Sequence, residues 1–111
     1  MNANVILIGS AGLGAGSKEL GGLIQSSFFR VLAEKRELPE YIILWNEGVK
    51  IALSDSSCVE HLKKLEQAGV QIIACQTCVE YFGMEGQMVV GRIGTMGLIQ
   101  DILLSSEVLT L

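Results

Sequence analysis

Five short apolar runs, four of them followed by a helical pattern, constrain this chain more than any other feature. The runs are "NVILIG" (4–9), "YIILW" (41–45), "VQIIA" (70–74), "QMVVG" (87–91) and "EVLTL" (107–111). Each has strand length, and the first three are apolar almost throughout, as parallel strands covered on both faces must be. Between the first two, Leu20, Leu23, Ile24, Phe28, Val31 and Leu32 recur at helical spacing, with Ser17 as N-cap and Pro39 at the exit. A second helix is marked by the capping box Ser57 and Glu60 and stopped by Gly69. A short third helix has Thr77 and Glu80 in the same S/T-x-x-E arrangement and ends at Gly83. The fourth, 95–104, carries Leu98, Ile99, Ile102 and Leu103 on one face. Alternation with such short joints implies right-handed crossovers and one domain, 1–111, of class α/β: a three-layer α/β/α sandwich with a five-stranded, mainly parallel sheet.

Ligands of such folds sit at the carboxyl ends of the strands. Three segments converge there: "GSAGLGAGS" (9–17), "NEGVKIALSDSS" (46–57) and "ACQTC" (74–78). The glycine-rich loop does not have nucleotide-binding spacing. A G-x-G-x-x-G pattern begun at Gly12 meets Ser17, one begun at Gly14 meets Glu19, and no Gly-Lys-Ser/Thr follows. A looser anion site on the free amides of the helix N-terminus and a plain turn both fit this loop.

Charge and composition narrow the partners. The net charge is −4 and the only basic cluster, "EKR" (34–36), is flanked by Glu34 and Glu37, so the chain lacks the basic face that nucleic acid requires. No apolar run approaches the roughly 20 residues of a membrane span, and "MNANVILIGSAG" has no basic n-region. Three cysteines, an odd number, do not make a secreted disulfide framework, so a cytoplasmic, reduced setting is expected. A mean hydropathy of +0.46 exceeds what one small core absorbs, which points to a homo-oligomer.

The cysteines carry the chemistry. Cys75 ends the third strand at the ligand-binding edge, and Cys78 follows at the first helical position if Thr77 is the cap. A thiol there feels the positive helix end and its amides, which favour the nucleophilic thiolate. Three other readings stand beside this one. Both cysteines could be small core residues. "CQTC" could be a dithiol redox pair, although no proline lies between the cysteines or ahead of a later strand to face them. Cys58 and His61 could join Cys75 and Cys78 as four zinc donors, although a domain with a full apolar core has no need of zinc to fold.

Four ordered segments are similar to a known family: "VILIGSAGLGAGSKELGGLIQSSFFRVL" (5–32), "LPEYIILWNEGVKIAL" (38–53), "LEQAGVQIIACQTCVEYFG" (65–83) and "VGRIGTMGLIQDILLSSEVLTL" (90–111). Together they resemble the DsrE/DsrF-like domain, most closely the C-terminal domain of YedF-type selenium-metabolism proteins. The resemblance implies an α/β/α sandwich, an oligomer and a sulfur-relay role. Sulfane sulfur would be held as a persulfide on the cysteine after the third strand, with a glycine eight residues on. Cys75 and Gly83 match that spacing, and Cys78 matches the second cysteine of the YedF-like subgroup. "NEGV" (46–49) resembles the loop beside the cysteine. YedF-type proteins usually carry a TusA-like domain ahead of this one, so residues 1–111 are expected to be either a stand-alone member or one domain of such a protein.

The implied chemistry is transfer of sulfur, or selenium, between protein donors and acceptors, a TusA-like protein among them. Cys75 would be the nucleophile and Cys78 its assistant. Backbone amides around Gly12, Gly14, Asn46 and Gly48 would stabilise the anionic sulfur. No cofactor and no metal is required. A non-catalytic oligomeric scaffold is the reading from a different class, since polar catalytic candidates are few.

Overall fold

The computed structural model describes residues 3–111. Ten elements follow in order: β1 Val5–Ile8, α1 Lys18–Leu32, β2 Tyr41–Leu44, a 3₁₀ turn Asn46–Ala52, α2 Val59–Gln67, β3 Gln71–Cys75, α3 Gln76–Tyr81, β4 Arg92–Gly94, α4 Met96–Leu104 and β5 Val108–Thr110. All five strands are parallel, in the order β4-β3-β2-β1-β5.

That order explains the layers. From β1 to β4 the chain steps across the sheet in one direction. It then returns from β4 to β5 over the whole sheet. With one handedness kept for every crossover, the outward steps put their helices on one face and the return puts α4 on the other. Accordingly Phe29 of α1, Leu62 and Leu65 of α2 and Val79 of α3 pack on Ile6, Ile8, Ile42, Leu44, Ile72 and Ala74. Ile99 and Ile102 of α4 pack on Val5, Leu7, Ile43, Ile73 and Cys75. Alternate residues of each strand thus serve opposite layers, which is why β1 and the core of β3 had to be apolar throughout. Each buried Val, Leu, Ile or Phe side chain among these contributes about 1.5–3 kcal/mol of transfer free energy.

Four local expectations change. The fourth strand is Arg92–Gly94, not 87–91. Gly91 has φ +78°, which ends any extended run before Arg92, and a Cβ there would stand 2.9 Å from the Ile72 carbonyl oxygen. Val90 still buries, but from a loop whose Met88 makes a single bridge to Leu53. The second helix begins at Val59 with Cys58 as N-cap, without a capping box. Ser56, rather than Ser57, accepts the Cys58 N–H, at 3.0 Å. The third helix begins two residues early, with Cys75 rather than Thr77 as its cap.

The fourth change is the rotation of α1. Ser17 caps it as expected, accepting the Leu20 N–H at 3.1 Å. The buried face, however, is Gly21, Gln25, Phe29 and Leu32. Leu23 is 62% exposed, and Leu20, Ile24 and Val31 are exposed with it. Gly21 sets this rotation, because its face lies against the Leu13 backbone, where a Cβ would come within 3.0 Å of a carbonyl oxygen. Apolar spacing marked the helix, and the small residue chose the side that docks.

Candidate functional site

Cys75 is the last residue of β3 and the cap of α3, so the strand ends and the helix begins on the same sulfur-bearing residue. Its side chain alternates with Ala74 to the α4 side of the sheet and is 1% exposed. Cys78 lies at the third position of α3, half-buried, and touches both apolar layers. Both are free thiols.

The two cysteines share one cleft of about 570 Å³ at the carboxyl edge of the sheet. Trp45, Asn46, Thr77, Tyr81, Phe82 and Met96 complete its walls, so no acidic or basic side chain lines it. Cys78, Tyr81 and Phe82 stand at i, i+3 and i+4, which puts them on one flank of the helix and its C-cap. Phe82 is braced from behind by Lys50, whose Nζ lies 4.5 Å from the ring centroid. The aromatic rim was legible in "CVEYF" from this spacing alone. Trp45 and Met96 were not, because they come from the ends of β2 and β4.

Asn46 enters through its backbone. It is the one non-glycine residue with positive φ among the described residues, +50°, a conformation asparagine tolerates better than most. That twist aims its N–H at Cys78 Sγ, 3.0 Å away. Gly48 lies just behind. It is buried, its own N–H goes to the Trp45 carbonyl at 3.0 Å, and an added Cβ would stand 2.3 Å from the Ile8 carbonyl oxygen. Gly48 therefore seats the 46–52 turn on the end of β1; its amide is spent inside the turn.

The glycine-rich loop goes elsewhere. Gly12 and Gly14 do not line the cysteine cleft. Gly12 packs against the backbone of Gly21 and Gly22, and Gly14 points at open space. The loop's Leu13 N–H is used by the Gly21 carbonyl and its Ser10 carbonyl by the buried Gln25 amide. Ala11 borders a separate cavity of about 220 Å³ beside Lys50 and Ser57. Of the residues expected to surround the sulfur, the fold brings together Cys75, Cys78 and the Asn46 amide, supported by Gly48.

The four zinc donors do not meet. Cys58 belongs to the α1–α2 layer, where its thiol faces Gln25 Oε1 at 3.8 Å, whereas Cys75 belongs to the α4 layer. Among the described residues no three His, Cys, Asp or Glu side chains cluster as metal ligands. No helix among them is long and apolar enough to cross a membrane.

The surroundings of Cys78 disfavour its thiolate. Burial pushes the Cys78 thiol up, and a hydrogen bond with Cys75 and the Cys75 charge push it further; the Asn46 amide pulls it down. This reverses the expectation that the helix end lowers it: at the third helical position, under the aromatic rim, desolvation outweighs the dipole. Cys78 is therefore harder to ionise than an ordinary thiol. Removing Cys75 removes two of the causes that raise it. The Cys75→Ser protein is expected to show alkylation of Cys78 with a pH midpoint below that of the wild type, followed by peptide mass mapping. A midpoint that stays put or rises would contradict this origin of the shift.

A family model described as the DsrE/DsrF-like family matches residues 24–111. Three solved structures superpose over nearly the whole chain. They are the YchN protein of E. coli (TM-score 0.67, 16% identity, 100% of both chains), MTH1491 of Methanobacterium thermoautotrophicum (0.68, 17%, 96% of both) and BT1422 of Bacteroides thetaiotaomicron (0.58, 20%, 97% of this chain and 95% of that one). At these identities the likeness is one of fold. No curated protein matches the chain.

Proposed function

This chain belongs to the DsrE/DsrF-like family, and on that premise we propose that it carries sulfane sulfur, or selenium, on Cys75 and hands it to the thiol of a partner protein. The observation that carries the reading is the shared cleft: a buried Cys75 sulfur in its wall, beside a Cys78 thiol whose surroundings disfavour ionisation. Cys75 as thiolate attacks the outer sulfur of a donor persulfide. The new S–S bond forms on Cys75 as the donor's S–S bond breaks, and the donor leaves as a thiolate. In the second half an acceptor thiolate attacks the outer sulfur of Cys75–SSH, and Cys75 leaves as thiolate. The net charge is unchanged in each half, so no oxidant or reductant is consumed. Cys78, as a neutral donor, steadies the charge on Cys75 in both halves.

The experiment is intact-mass measurement after exposure to a persulfide donor and desalting, followed by peptide mapping. A gain of ~32 Da on the Cys75 peptide, reversed by a thiol, is the expected result, with sulfenylation excluded by its different mass. No gain, or a gain confined to Cys78, overturns the assignment.

Self-association is part of the proposal. Leu20, Leu23, Ile24 and Val31 form an exposed apolar stripe on α1, and such stripes are shielded from water by association. Light scattering on the wild type is expected to give more than one chain mass. The Leu23→Glu/Ile24→Glu protein is expected to give one, with its far-UV spectrum unchanged. A monomeric wild type ends this part of the proposal.

A further inference from the structure

The same cleft holds three sulfur side chains: Cys75, Cys78 and, at the start of α4, Met96. We infer that it is a binding site for one Cu(I) ion, held between the Cys75 and Cys78 sulfurs with the Met96 thioether at the rim. This goes beyond sulfur carriage and does not depend on it.

Donor chemistry selects the ion. Thiolate and thioether are soft ligands, and a closed-shell monovalent soft cation is satisfied by two or three of them. Zinc at a structural site takes four nitrogen or sulfur donors, and Cys58 and His61 lie outside this cleft. Magnesium and calcium take oxygen donors, and no carboxylate lines the walls. Cys75 caps α3, Cys78 stands in its first turn, and both line the one cleft, so a single ion there has both sulfurs beside it.

Charge argues the same way. Two separate thiolates in a half-buried cleft with no charged side chain on its walls are costly. Binding replaces both thiol protons with one cation: two S–H bonds break, two Cu–S bonds form, and two protons leave to solvent. The copper stays in its +1 state, and the bis-thiolate complex carries one negative charge instead of two. The Asn46 N–H, 3.0 Å from Cys78 Sγ, is placed to offset that charge as an outer-shell donor. Trp45 and Phe82, both partly buried, border the sulfurs.

The test uses metal-free, reduced protein titrated anaerobically against the coloured Cu(I)–bicinchoninate complex. Wild type is expected to withdraw one equivalent of copper and release two protons. Cys75→Ser and Cys78→Ser are each expected to weaken retention by more than the roughly 10–100-fold that loss of an outer-shell partner costs. Met96→Leu should weaken it less. Cys58→Ser, altering a buried thiol away from the cleft, should match wild type. Far-UV spectra of every variant separate misfolding from ligand loss, and a serine variant that fails to fold is replaced by the alanine variant at the same position. The inference is overturned if wild type leaves the copper with the chelator, if either serine variant binds as wild type does, or if Zn(II) is retained as tightly as Cu(I). Persulfide loading is measured separately on metal-free protein, so either idea fails without the other.

Discussion

Cys75→Ser protein is expected to gain no sulfur from a persulfide donor, while Cys78→Ser protein still gains ~32 Da, more slowly than wild type. The first effect is all-or-none because a serine hydroxyl stays protonated at neutral pH and is a poor nucleophile towards sulfur. The second is partial because Cys78 acts on the charge of its neighbour, through a hydrogen bond that a serine hydroxyl still makes in part. Intact-mass time courses of the two variants decide between them. Equal loading of wild type and Cys75→Ser would move the nucleophile to Cys78, and slow loading by both variants alike would make the pair a single unit.

Gly48→Ala is expected to cost about 3 kcal/mol and to loosen the cleft as well. The Cβ would lie 2.3 Å from the Ile8 carbonyl oxygen, the atom that accepts the Trp45 N–H at 3.1 Å. Relief requires the 46–52 turn to lift from β1, which breaks that bond and carries Trp45 and the Asn46 amide away from Cys78. Gly14→Ala is the matched control. It sits at φ +80° with nothing within 4 Å, so only the backbone penalty of about 1–2 kcal/mol applies, far from the cysteines. Urea unfolding measures the cost, and the rate of Cys78 alkylation reports the cleft. Two equally destabilised proteins with unaltered Cys78 would show that Gly48 has no special hold on the site.

The sequence carried the architecture because burial on both faces leaves no polar alternation in β1, β2 and the core of β3, and that pattern is local. Cys75 at the end of β3 followed from the same reasoning. Cap positions were less legible at 57–60 and 75–78, where several Ser, Thr and Cys residues compete and tertiary contacts pick among them. The 87–91 run misled because Val90 buries without belonging to a strand.

What the chain's order of residues determined by itself was the kind of fold, its parallel strands and the strand end on which Cys75 stands. Only the assembled molecule decided which glycines serve the site, since Gly48 meets Ile8, 40 positions earlier, while Gly12 and Gly14 face α1 or open space. It also decided which way α1 turns and that burial disfavours the Cys78 thiolate. Those outcomes depend on steric clash and desolvation between segments distant in the chain, and neither leaves a periodic trace that a single sequence displays.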